Sequence, residues 1–286
     1  MSRGPVPHPG RARVGEEVPV SQGRPPVARG GRPPNRWRTR RPLPPALWLC
    51  VLVVYPVTVL LFRLRPRHGE RFPRTGPVIV VANHVSVLDP LSCARLVWDA
   101  GRVPHFLAKA SVFRGTAGRI LRAAGQIPVA RGTAEARGSL EAARADLEAG
   151  NVVVIYPEGS VTRDPDWWPM EARTGVARLA LTSDAVVLPV AQWGPQRLHD
   201  YHTKRLHLRL RTPVDYLVGE PLDLADLRAE VRAGRPLTGD LLRAVTDRMM
   251  VQVRDQLAEL RDEPAPAAFT RRPGRALPGD LPGDVA

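Results

Sequence analysis

The sequence predicts an α/β fold, a mixed and largely parallel sheet flanked by helices, preceded by a membrane-binding helix or helical hairpin. Three observations lead there. Short, mainly apolar runs at 78–82, 151–156 and 186–190, the first of them wholly apolar, have the length and composition of buried strands. Amphipathic stretches at 134–149 and 238–261 lie among and after them, so strands alternate with helices. Ahead of them all, residues 46–62 form an uncharged apolar run.

The elements follow in chain order. Residues 1–45 are rich in Pro, Gly and Arg, with Arg36, Arg38, Arg40 and Arg41 clustered. Such a segment has little to bury against the entropy of ordering, and disorder is expected. Residues 46–63 are expected to be a membrane-associated helix. It reaches about 25 Å at 1.5 Å per residue, slightly short of a hydrocarbon core of ~30 Å. Pro56 kinks it. Arginines stand on both sides (Arg40 and Arg41 before, Arg63, Arg65 and Arg67 after), so charge does not orient it. It lacks the small-residue cleavage site of a signal peptide. A single span, a kinked hairpin entering one leaflet and a buried core helix all fit the run.

Residues 64–262 form the folded domain. The strand at 78–82 leads into Asn83-His84, and Asp89-Pro90 predicts a helix start with Asp at the N-cap and Pro at the first helical position. Further strands are expected at 106–109, 151–156 and 186–190, and a half-exposed one at 206–210, where leucines alternate with basic residues. Helices are expected at 112–124, 134–149, 174–183 and 238–261. Residues 263–286 repeat Pro-rich steps and are expected to be a second disordered tail.

Formal net charge is +14, from 42 Lys+Arg against 28 Asp+Glu, which points to an anionic partner: a membrane surface, a phosphorylated substrate or nucleic acid. The two cysteines, Cys50 and Cys93, suggest neither a disulfide framework nor a Cys-based zinc site, and a reducing compartment is the simple reading.

His84 and Asp89 are the first chemistry-bearing pair. Five helical steps of ~100° set two residues about 140° apart, so the pair does not work from one regular helix. It works if His84 sits in the loop leaving a strand and Asp89 begins the next helix. The carboxylate then accepts from one imidazole nitrogen and aims the other at a substrate hydroxyl, as in general-base catalysis. By spacing alone, a loop histidine beside an ordinary capping aspartate fits as well. Next, a buried strand ends in Tyr156-Pro157-Glu158-Gly159-Ser160-Val161-Thr162-Arg163. Ligands gather at strand carboxyl ends in such sheets; Glu158 can bond substrate hydroxyls and Arg163 a phosphate, while a solvated turn is the plain alternative. Lys109 and Arg131 each end a short apolar stretch and can bind an anion; on a chain this rich in Arg, either is also an ordinary surface cation.

Together these pieces resemble the 1-acylglycerol-3-phosphate acyltransferases, the lysophosphatidate acyltransferases of glycerolipid synthesis. The family's first block, Asn-His-x-Ser-x-x-Asp, matches Asn83, His84, Ser86 and Asp89. The second matches Gly125, Ile127 and Arg131; the third matches Pro157, Glu158 and Gly159, with Tyr156 and Ser160 replacing the usual Phe and Thr. The fourth matches Leu188, Pro189 and Val190. One departure is that Val161 and Thr162 separate Ser160 from Arg163, and Arg173 can serve in its place.

The resemblance implies a glycerol-3-phosphate acyltransferase-like fold carrying the HxxxxD motif. By that resemblance His84 would deprotonate an acceptor hydroxyl, Asp89 would orient His84, Glu158 and Gly159 would position the acceptor, and Arg131, with Arg163, would take its phosphate, with Lys109 a further candidate anion site. The donor is acyl-CoA or acyl carrier protein, the acceptor 1-acylglycerol 3-phosphate and the product phosphatidate. No cofactor, metal or covalent acyl-enzyme is implied. The expected partners are membrane lipid and the thioester carrier, at the cell membrane with the site facing the cytoplasm. A second enzyme reading keeps the site and changes the acceptor, to glycerol 3-phosphate, another lysolipid or an amino-acid lipid. A non-catalytic lipid-binding relative is a further alternative, opposed by the intact His84, Asp89 and Glu158. A nucleic-acid-binding protein would fit the charge, but the chain lacks the interleaved aromatics of a stacking surface, and nucleic acid is not an expected partner.

Overall fold

The structure, a computed structural model, describes residues 44–129 and 133–271. Its elements are α1 (Pro45–Leu61), β1 (Phe62–Arg67), β2 (Val78–Ala82), α2 (Asp89–Asp99), β3 (Pro104–Lys109), α3 (Gly115–Ala123), β4 (Ile127–Val129), α4 (Thr133–Glu148), β5 (Val152–Ile155), α5 (Gly175–Leu181), β6 (Val186–Trp193), β7 (Thr212–Val218), α6 (Ala225–Arg232) and α7 (Gly239–Arg261). The seven strands form one sheet in the order β1-β7-β6-β2-β5-β3-β4. Every pairing is parallel except β6 with β7. The expected α/β class, largely parallel sheet and flanking helices are all present.

Hydrophobic pattern explains the order. β2 and β5 are buried throughout and take the centre, where both faces are covered. On one face Ile79, Val81, Val153 and Val187 pack against α4, α5 and α7; on the other Val78, Val80, Val152 and Leu188 pack against α2. Each such aliphatic side chain contributes about 1.5–3 kcal/mol when fully buried. Pro66 and Pro128 lie in β1 and β4, the two edge strands, where a missing N–H is tolerated.

Several expectations need correction. The helix at 112–124 is split: Ala110–Phe113 is a 3-10 turn, Arg114 is extended, and α3 starts at Gly115. The two pieces meet so closely that a Cβ on Gly118 would lie 2.0 Å from the Phe113 carbonyl carbon. The strand expected at 206–210 makes only one bridge, at Leu206; the strand is β7, just beyond. Arg211, in the left-handed region at φ 53°, turns the chain between them. β1 was masked in the sequence by its arginines, which look like a helix flank. The expected tail starts on the domain, for Phe269 packs against the core and the Thr270 carbonyl accepts from Glu171 N–H at 2.9 Å. Residues 1–43 and 272–286, which hold most of the expected disordered ends, lie outside the described residues.

The amino end of the sheet is tied by a buried cation. Arg102 donates to the carbonyls of Pro73, Gly76 and Gly150, at 2.8, 2.6 and 2.8 Å, joining the turns that feed β2 and β5. Replacing it by Leu leaves those acceptors unmatched, and a loss of about 2–4 kcal/mol is expected. Urea unfolding of Arg102→Leu measures it; a loss below about 1 kcal/mol would remove Arg102 from this role.

Candidate active site

β2 carries Asn83 and His84 to the carboxyl end of the sheet, and α2 begins five residues on with Asp89. Asp89 is fully buried. The expected N-cap position belongs to Leu88, with Asp89 and Pro90 inside the first turn. The carboxylate therefore turns back into the loop. Its Oδ2 accepts from His84 Nδ1 at 2.8 Å, Val85 N–H at 2.6 Å and Ser86 N–H at 2.9 Å. Burial pushes this carboxyl above its usual range, against His84 and the two N–H groups, which favour the charged form. An oxygen already taking two backbone donors is an acceptor toward the ring as well. Nδ1 thus carries the proton, and Nε2 of the neutral imidazole holds the lone pair.

His84 is held on its other sides too. Its N–H donates to Glu158 Oε1 at 2.9 Å, and its carbonyl accepts from Thr162 N–H at 2.8 Å. Its ring stacks on Tyr156 with centroids 4.3 Å apart. Nε2 has no partner among the described residues, although the side chain is 14% exposed.

Glu158 differs from expectation. It is buried, and both its oxygens serve the protein: Oε1 takes His84 N–H and Oε2 takes Met170 N–H at 2.9 Å. It holds the His84 backbone from a buried position. Desolvation raises its carboxyl to about 8, opposed by those two N–H donors. Gly159 has φ +76°, and a Cβ there would come 2.8 Å from Arg173 Nε, so the Arg173 guanidinium lies over the turn. Arg163 is exposed, and its guanidinium has no partner among the described residues. Lys109 is exposed at the carboxyl end of β3, paired with Val129 at the end of β4. Arg131 lies outside the described residues.

A buried polar network escaped the sequence reading. Asn83 Nδ2 donates to the Gln192 carbonyl at 3.0 Å, its Oδ1 accepts from Gln192 N–H at 2.8 Å, and Gln192 Nε2 donates to the Asn83 carbonyl at 2.7 Å. Tyr216 Oη donates to Gln192 Oε1 at 3.0 Å and meets Ser92 Oγ at 2.7 Å. The network ties the start of the His84 loop to β6, β7 and α2. Its one visible signal is a Gln ending an apolar strand, which needs buried partners.

A cavity of about 230 Å³ adjoins the site. Leu47, Cys50, Val51 and Val54 of α1 form one wall, with Leu91, Trp98, Phe106 and Phe113 opposite. Phe106 also stacks against Tyr156, the ring beneath His84, with centroids 6.5 Å apart. An apolar pocket thus lies one aromatic ring from His84.

The Glu158 carboxyl carries a pH signature. Between about 4.5 and about 8 the folded chain keeps a proton that the unfolded chain has lost. Stability contributed at this site is full below that window and falls as pH rises through it, by on the order of 1 kcal/mol per pH unit. Glu158→Gln lacks this dependence. The stability gap between the native chain and the variant, from urea unfolding at several pH values, is expected to narrow from pH 5 to pH 8; a constant gap would contradict the assignment.

Comparison with known proteins agrees with the geometry. Residues 64–193 match the family model described as Acyltransferase. No curated protein sequence matches the chain. Among solved structures, the 1-acyl-sn-glycerophosphate (LPA) acyltransferase PlsC from Thermotoga maritima is similar in fold, with a TM-score of 0.53 at 22% identity, over 77% of this chain and 81% of that one. Residues 64–193 thus resemble an acyltransferase domain, and the chain shares the fold of that lysophosphatidate acyltransferase.

Proposed function

We propose that the chain transfers an acyl group from an acyl thioester, on coenzyme A or acyl carrier protein, to the free hydroxyl of 1-acylglycerol 3-phosphate, making phosphatidate at a membrane surface. The observation that carries this reading is His84, fixed through Nδ1 by Asp89 with Nε2 left open. Nε2 takes the proton of the acceptor hydroxyl as its oxygen attacks the thioester carbonyl. The C–S bond then breaks, and the thiolate leaves with the proton from His84. Asp89 stabilises the imidazolium between these steps.

The surroundings support a lipid substrate. The apolar cavity beside the site suits an acyl chain, with about 0.8 kcal/mol gained per buried methylene. Arg173, lying over Gly159, supplies a cation next to the base, with Arg131, Arg163 and Lys109 as further candidates for the acceptor phosphate.

α1 supports the membrane reading. One face lines the cavity, yet Trp48, Leu49, Leu52, Val53, Val57 and Leu60 on its other face are 43–73% exposed. A helix apolar all round belongs in a core or in lipid. No helix among the described residues is long and apolar enough to cross a membrane, which favours α1 lying in one leaflet.

Two expectations test the chemistry. His84→Ala and Asp89→Asn are each expected to lower thiol release with lysophosphatidate and acyl-CoA about 10²-fold or more, with unchanged circular dichroism; near-normal turnover in His84→Ala would sink the assignment. Glycerol 3-phosphate and acyl carrier protein, run in parallel, identify acceptor and donor. Arg173→Met is expected to raise KM for the phosphorylated acceptor about tenfold, as loss of a charge-assisted contact should, with little change in KM for the thioester. Equal effects on both would remove Arg173 from the phosphate site.

A further inference from the structure

The connection between β6 and β7 leaves the same end of the sheet that carries His84. Within it, residues 204–211 read Lys-Arg-Leu-His-Leu-Arg-Leu-Arg. Leu206, Leu208 and Leu210 are 57%, 83% and 62% exposed. Along the segment the three leucines alternate with His207 and Arg209 and are followed by Arg211. No acidic residue occurs from Tyr201 to Val214.

The segment is tethered although its side chains are bare. His207 N–H donates to the Leu198 carbonyl and Arg211 N–H to the Leu60 carbonyl, both at 2.8 Å. Lys204 and Arg211, at φ 59° and 53°, turn the chain at either end. The Leu60 bond joins the strap to the last turn of α1.

The base of the strap reaches both catalytic loops. The His199 carbonyl accepts from Ser86 Oγ at 2.9 Å, two residues after the base. His202 Nε2 donates to the Thr162 carbonyl at 3.1 Å, and its ring stacks on Trp167 at 3.9 Å. Thr162 in turn donates to the His84 carbonyl.

We propose that residues 204–211 are a second lipid-docking element, which sets Leu206, Leu208 and Leu210 into the interface of an anionic bilayer while Arg205, Arg209 and Arg211 meet its phosphates. The inference rests on the reading of a lipid-borne acceptor and adds to it a contact separate from α1. Lys and Arg stems lie along apolar material while their heads stay in the polar layer, so one strap satisfies both kinds of side chain. Nucleic acid would match the charge but leave the three leucines in water, since aliphatic side chains offer no stacking surface. Through Ser86 and Thr162, docking orders the loops that hold His84.

The test uses the full chain with Cys50 and Cys93 replaced by Ala, and an environment-sensitive thiol label on Leu208→Cys. A second protein carries the label on Ala233→Cys, just beyond α6 at the opposite end of the sheet. With vesicles of phosphatidylcholine and phosphatidylglycerol, the label at 208 is expected to shift to the blue and to be quenched by brominated acyl chains, while the label at 233 does neither. A label at 208 that stays in water while the protein floats with the vesicles would overturn the proposal. Because no turnover is read, that result would leave the acyl-transfer reading intact. In unlabelled protein, Leu206→Ser with Leu208→Ser and Leu210→Ser is expected to lower activity on vesicle-borne acceptor about tenfold and to leave activity on a monomeric short-chain acceptor unchanged. Equal loss on both acceptors would mean that the strap only supports the fold. Arg205→Gln with Arg209→Gln is expected to weaken binding to phosphatidylglycerol vesicles and flatten its salt dependence; an unchanged salt dependence would count against the headgroup contacts.

Discussion

One buried oxygen organises the site. Asp89 Oδ2 takes a ring nitrogen and two backbone N–H groups from the loop that precedes it. Removing a carboxylate from water costs several kcal/mol, and the cost is offset only where donors converge on it. The loop from His84 to Ser86 is shaped to supply those donors, so its conformation and the ionisation of Asp89 depend on each other. The rest of the site follows from keeping this loop in place. Glu158 holds His84 by its N–H, Thr162 by its carbonyl and Tyr156 by the ring face. The Asn83–Gln192 pairing fixes where the loop leaves the sheet. What these contacts leave open is the Nε2 edge, where a base must meet its substrate.

Much of this was legible in the sequence because it rests on local pattern. Parallel strands buried on both faces must be continuously apolar, and 78–82 and 152–155 are. The His84–Asp89 spacing excluded one helix and required a loop, and a loop is what joins β2 to α2. Other parts need long-range register. Gln192 lies 109 residues from Asn83, and nothing near either residue names the other. Glu158 was visible as the carboxylate of a turn, but its partners stand 74 residues before it and 12 after it. The same limit explains the strand error. The alternation of leucines with His207 and Arg209 at 206–210 has the period of a strand but lies before β7 starts, whereas β7, with Asp215 in its middle, has the weaker pattern and the partners. Alternation reports which side chains share a side, and pairing decides whether they are covered.

α1 shows the same distinction at larger scale. The sequence left three readings of its apolar run, and the structure accounts for that ambiguity, because the helix has two apolar faces with different neighbours. One closes the cavity near Tyr156; the other is largely exposed among the described residues. Its carboxyl end is fastened by Arg95, which donates to the Thr58 carbonyl at 3.2 Å and the Phe62 carbonyl at 2.9 Å. A cation suits that end of a helix, where unpaired carbonyls and the dipole are both negative.

Attachment and chemistry are therefore hard to separate in this chain. A detachable anchor would leave the pocket whole when removed, but here the helix proposed to enter lipid is also a wall of the apolar pocket. Opposite that wall stand Pro90 and Leu91, in the first turn of the helix that Asp89 begins. A displacement of α1 would thus open the pocket and disturb the turn that holds Asp89. On the proposed reading, an acyl chain entering from lipid would travel along α1 and arrive one aromatic ring from His84. On that reading, the apolar segment that stands apart from the domain in the sequence forms a wall of the substrate pocket.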